Sequence, residues 1–210
     1  MTFSRKPLIS GLTGLLLLTG CGSSTGTSAR DFAQAQGLMR SVIQEHMDQI
    51  PYQHGNELLA NLWWLQQKGE VAIPFLIKGL EHSNPKVRSN SAWTLWQIGD
   101  KRAIPFLEKH MQDPNPIARL EVARALVQLG DFKAMPILIE GLKSDSKYVR
   151  FQCMEALRTV TGKNFGFDHL AEDESVRLAS IQKWERWWTK RQQDPNFSPN
   201  LKGNWAKPGN

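Results

Sequence analysis

Ala72-Ile73-Pro74-Phe75-Leu76 returns as Ala103-Ile104-Pro105-Phe106-Leu107 and again as Ala134-Met135-Pro136-Ile137-Leu138, each copy 31 residues after the last. Other columns keep the same step: Arg88, Arg119 and Arg150; Leu95, Leu126 and Leu157; Ile98, Leu129 and Val160. Gly79 matches Gly141 two steps on, and Gly99-Asp100 returns as Gly130-Asp131. Self-similarity at a fixed period of this length marks a chain built from repeated supersecondary units.

Each unit reads as a helix hairpin. The proline suits the first turn of a helix, where its missing N–H costs nothing. A turn such as Ser83-Asn84-Pro85 or Asp113-Pro114-Asn115-Pro116 follows, and the second helix turns Val87, Ala92, Leu95 and Ile98 inward before Gly99 ends it. A lone hairpin cannot bury its apolar side, so the units must stack into one continuous core.

Outward from the repeats, further helices are predicted at both ends. A helical pattern begins at Asp31, with Phe32, Ala35, Leu38, Met39, Val42, Ile43, Met47 and Ile50 on one face, and Pro51 and Gly55 break it. A second helix is predicted from about Asn56 to Lys68, with Leu58, Leu59, Leu62, Trp63 and Leu65 as its apolar side. At the other end a helix from about Asp173 to Arg191 places Leu178, Ile181, Trp184 and Trp188 on one stripe. Residues 192–210 are rich in Pro, Asn and Gly, a composition that predicts a disordered tail.

The pattern A-I-P-x-L, N-P-x-V-R, A-W-x-L-x-x-I-G-D resembles the short HEAT-like repeats named after phycobilisome lyases. The resemblance covers three units over residues 70–161, with residues 31–69 as N-terminal helices and a degenerate half-repeat. It implies an all-α fold, a short right-handed α-solenoid with N- and C-terminal capping helices. Residues 162–191, from Thr161-Gly162-Lys163-Asn164-Phe165 to Trp188, are similar to a Trp-rich module found after such repeats. Some relatives attach or cleave bilins, a cytosolic chemistry that the export signal read below argues against, so no enzyme is expected; the alternative to a binding scaffold is a purely structural lipoprotein.

The first twenty residues read as a secretory signal: Arg5 and Lys6, an apolar run centred on Leu15–Leu18, and small residues at its close. The run falls short of the ~20 apolar residues of a membrane span. Leu18-Thr19-Gly20-Cys21 resembles the lipobox of bacterial lipoproteins, which implies acylation of Cys21, a palmitate-type anchor in the bilayer, and cleavage before it. Residues 21–30 then read as a flexible tether, Gly22-Ser23-Ser24-Thr25-Gly26-Thr27-Ser28 being small and polar. Gly22 in place of Asp points, by the same resemblance, to the outer membrane, facing the periplasm. Removing Arg5 and Lys6 lowers the formal charge from +6 to +4, too little to argue for nucleic acid. Cys153 is the one other cysteine, so no internal disulfide is expected once Cys21 is acylated.

The candidate site lies on the second helices. One 31-residue row reads Trp93, Arg124 and Glu155, and its neighbour Ser89, Leu120 and Phe151. Tryptophan and arginine dominate binding hot spots, so Trp93, Leu120, Arg124, Phe151 and Glu155 are expected to bind an envelope protein, with Arg124 facing solvent. Against this, Trp93 equally suits a cover for the neighbouring helix. Arg88, Arg119 and Arg150 are expected to be structural, each following a turn that bears Asn84, Asp113 or Asp145. Trp184, Trp187 and Trp188 among Lys183, Arg186, Lys190 and Arg191 suit an end cap or a membrane seat. His46, His54, His82, His110 and His169 lack metal-ligand spacing, and Asp168, Glu172, Asp173 and Glu174 lack a calcium-loop pattern. No phosphate loop or nucleophile elbow appears, so neither a cofactor nor a small-molecule substrate is expected.

Overall fold

The computed structural model describes residues 26–194, and over them the chain is all-α and solenoid-like. Two N-terminal helices, α1 (Gly37–Gln49) and α2 (Gly55–Gln67), precede three hairpins. These are α3 (Ile73–Leu80) with α4 (Pro85–Ile98), α5 (Ile104–Glu108) with α6 (Pro116–Leu129), and α7 (Met135–Gly141) with α8 (Lys147–Thr161). A final helix, α9 (Glu174–Arg191), lies against α7. The second helices form the spine, α2 on α4, α4 on α6 and α6 on α8.

The hairpins stop and start where their sequence says. Asn84, Asn115 and Ser146 cap the second helices by accepting backbone N–H groups, which satisfies donors a helix start leaves free. Gly99, Gly130 and Gly162 end them at positive φ (81°, 103° and 69°), a conformation that costs glycine nothing. Asp100 and Asp131 then cap the short 3-10 turns that lead into the next first helix.

Counting from the column arginine gives the core. Three, four and seven residues on stand Ser91, Ala92 and Leu95; Val122, Ala123 and Leu126; Cys153, Met154 and Leu157, all buried. The first helices approach this row closely at Gly79 and Gly141. A β-carbon at Gly79 would strike the Ser91 hydroxyl and the tip of Met47, and one at Gly141 would strike the Cys153 sulfur. The middle hairpin has His110 at the corresponding place, and its first helix already ends at Glu108.

The N-terminal expectations need correction. The first helix starts at Gly37 rather than Asp31, and Phe32 and Ala35 reach the core from an extended segment. Leu38, Met39, Leu59 and Trp63 face solvent, although the pattern placed them on apolar stripes. In their place Asn61 is buried, where its amide donates to the His46 carbonyl oxygen and to Gln53. The tether also ends early: Ser28 caps a turn over Ala29–Asp31, and the Ala33 N–H donates to Glu70. Cys21 and residues 195–210 lie outside the described residues.

Candidate interaction surface

Along the turns that join first to second helices runs the arginine column, and it is structural. The Arg88 Nη1 donates to the carbonyls of His82 and Ser83, and Arg119 Nη1 to that of Asp113. Arg150 Nη1 does the same to Ser144 and Asp145. Each arginine thus ties down the turn before its own helix. Arg88 also grips Asp113 of the next hairpin with two bonds, 2.6 and 2.8 Å, and Arg150 Nε reaches the His169 carbonyl. The Arg88 guanidinium holds the Asp113 carboxyl below the usual carboxylate range.

Arg177 belongs to this column, although the 31-residue period passes it by. Its Nη1 donates to the carbonyls of Ala171 and Glu172, the geometry of Arg88 and Arg150. Asp173 caps α9 as Asn84 caps α4, and Ser180, Ile181 and Trp184 are buried at the same three steps from the arginine. The local signal was present: Asp173-Glu174-Ser175-Val176-Arg177 parallels Asn84-Pro85-Lys86-Val87-Arg88. The interval is only 27 residues because no first helix stands before α9. A loop bearing Phe165 and Phe167 takes its place, Phe167 buried and the Phe165 ring 4.8 Å from that of Trp184.

On the neighbouring face of the second helices the five expected residues do not form one open surface. Leu120 is core, only 7% exposed. Trp93 is half-buried against the core and packs edge-on against Trp96 of its own helix at 6.4 Å, so it is not a free anchor. Arg124 does not face solvent freely: it bonds both oxygens of Glu121 at 2.7 and 2.9 Å, and each side chain is 15% exposed. Burial raises the Glu121 carboxyl above its usual range even with Arg124 beside it. Glu155 is turned back onto Arg158, 2.7 Å away.

Phe151 alone of the five is open, at 39% exposure, its ring 5.0 Å from that of His169. One turn nearer the helix starts, Ile117 and Tyr148 are more open still, Tyr148 at 65%. They stand 31 residues apart on α6 and α8, where the first hairpin has Lys86. This column lies outside the two rows read from the sequence, and its first member, Lys86, gives no apolar signal. Lys86 is occupied there, donating to the carbonyls of Pro51 and Gln53. The apolar column Ile117 and Tyr148, with Phe151 beside it, is therefore the candidate surface.

Residues 73–158 match the HEAT repeats family. The three hairpins are thus similar to HEAT repeats, a class that often serves as scaffold for other proteins. No curated protein matches the chain. Elsewhere in the repeats, Cys153 is a free thiol pushed up to about 12 by burial, so it is no nucleophile at neutral pH. Among the described residues no group of three His, Cys, Asp or Glu side chains is placed to hold a metal ion. Nor is any described helix long and apolar enough to cross a membrane.

Proposed function

We propose that the chain is a lipid-anchored, non-enzymatic adaptor of the bacterial envelope that holds another protein against the open column of its second helices. The observation that carries the reading is the pair Ile117 and Tyr148, large apolar side chains left open on adjacent HEAT-like repeats whose own cores are closed. Solvated apolar groups in register on a solenoid are the surface that such proteins present to partners. The anchor rests on the lipobox-like Leu18-Thr19-Gly20-Cys21, and the outer-membrane, periplasmic location on Gly22 after it.

Two experiments test this. Cys21→Ser abolishes incorporation of labelled acyl chain and releases the protein from the detergent-extracted membrane fraction; unchanged labelling removes the anchor from the account. For the surface, Tyr148→Ala with Phe151→Ala weakens a titration against the envelope protein recovered by the tagged wild type at least tenfold, about 1.4 kcal/mol. The melting temperature stays near that of wild type, since both side chains are open. Equal affinities for the two proteins sink the assignment of this face.

A further inference from the structure

Several basic side chains on the surface have acidic partners. Lys133 pairs with Glu108, Lys143 with Glu140 and Glu185, Lys147 with Glu172, and Arg158 with Glu155. Arg40, Lys78, Lys101 and Lys109 stand exposed along the solenoid without such a pair, and at the C-terminal end cations of this kind cluster. Lys163, Lys183, Arg186 and Lys190 are all exposed, and no carboxylate among the described residues pairs with any of them. Glu185, the nearest acid along the helix, is turned to Lys143.

These cations share one stripe. On a helix surface, residues three and four apart are neighbours, so Lys183, Arg186, Trp187 and Lys190 adjoin along α9. Lys163 joins them across the loop: its Nζ lies 6.0 Å from the Phe165 ring, and Lys183 Nζ approaches the Phe165 carbonyl at 3.5 Å. Phe165 holds φ 50°, a left-handed conformation unusual for a side chain of its size, and its ring packs on Trp184 and Trp187. The result is a row of cations around half-buried aromatic rings, the composition of a helix that lies on a bilayer surface.

The fold also directs this row to one side. Lys163 and Phe165 follow Gly162, in the turn column that joins second helices to what comes next. The N-terminal segment meets the fold on the same column: Asp31 accepts from Arg102 through its carbonyl, Ala33 donates to Glu70, and Phe32 packs on Phe106 at 6.1 Å. The described N-terminal segment and the cationic row therefore share an edge of the solenoid.

We infer that the stripe Lys163, Lys183, Arg186 and Lys190 around Phe165 and Trp187 is a docking surface for an anionic phospholipid bilayer. It sets the orientation of the solenoid on the membrane, leaving the column of Ile117 and Tyr148 for a protein. Basic residues near an anionic surface each add attraction that salt screens, so binding depends on both lipid charge and ionic strength.

The test uses the full chain carrying Cys21→Ser, so that no acyl chain contributes and the outcome is independent of the anchor. Co-sedimentation is measured with vesicles of phosphatidylglycerol and phosphatidylcholine in equal parts, and with phosphatidylcholine alone. Residues 1–20 are common to every protein compared. The variant Lys183→Gln, Arg186→Gln, Lys190→Gln loses at least tenfold in partition to the anionic vesicles and is unchanged on neutral ones. A control, Lys133→Gln, Lys147→Gln, Arg158→Gln, removes the same charge from partnered sites and keeps most of the binding. Lys163→Gln with Arg186→Gln, split between loop and helix, gives a smaller loss in the same direction should the triple variant melt early. Equal losses in the stripe and control variants, or equal partition of the parent to both vesicle types, overturn the proposal. So does tight binding of a short single-stranded RNA with no binding to vesicles.

Discussion

The two ends of the solenoid close it by opposite means. At the N-terminal end the helix pair α1 and α2 is complete, but the column arginine is missing and a polar network replaces it. Asn61 sits among His46 and Gln53, and Lys86 of the first repeat reaches back to the Pro51 and Gln53 carbonyls. At the C-terminal end the arginine survives as Arg177, but the first helix is gone and aromatic rings fill its place, with Trp184 fully buried. The stack thus tolerates the loss of the column arginine or of a first helix if the exposed flank is covered. Hydrogen bonds that must all be satisfied do this at one end, and bulk alone does it at the other.

The aromatic end should be the more costly to cut. Trp184→Ala removes a fully buried indole and is expected to cost about 3–5 kcal/mol. Hydrogen exchange should show α7 and α9 opening first while α1 and α2 keep their protection, because each unit holds only its neighbours. Uniform loss along the chain would show that the ends are not separable.

Leu126→Ala, between the two ends, is expected to cost about 2–5 kcal/mol. It should loosen the first and third hairpins together, since α6 packs on both α4 and α8. A melting temperature within about a degree of wild type would contradict that shared core.

Asn61→Ala strands the partners of a buried amide and is expected to cost about 1–3 kcal/mol, confined to α1 and α2. Denaturant unfolding read from Trp63 and Trp64 replaced one at a time localises the effect. A loss as large as that of Trp184→Ala would erase the contrast between the ends.

The smallest effect is that of acid on the ladder. Asp113 is depressed in the folded protein by its bonds from Arg88, so its contribution is full above the unfolded value, about 3.9. It is lost as pH falls from there through the lowered folded value. Asp113→Asn should therefore flatten the acid limb of the stability curve and leave it unchanged near neutrality in shape. An acid limb as steep as wild type would assign it to other carboxylates.

How much of this was legible in the sequence follows from what each feature depends on. The hairpins, their caps and the first two terminal glycines are local, and the 31-residue columns carry them from Pro74 to Gly130, whereas Gly162 stands one residue past its column. The start of α1 was not legible, since Phe32 and Ala35 keep a helical spacing while lying in extended chain. The site was the least legible part. Leu120 and Phe151 occupy one column, yet one is buried and the other open, because exposure depends on how far the next unit leans over each position. Arg177 was readable from its neighbours in sequence, but a search by period alone steps over it.

The close approaches at Gly79 and Gly141 have a genetic corollary. Each glycine shares its space with one side chain of the second helix that follows it, the Ser91 hydroxyl or the Cys153 sulfur, and Gly79 also with the tip of Met47. Neither position can drift by itself, for any enlargement on one side must wait for a reduction on the other. Across descendants of this gene, 79 with 91 and 141 with 153 should therefore change as pairs. The middle hairpin, where His110 follows the end of α5, is released from that bargain and free to diverge alone.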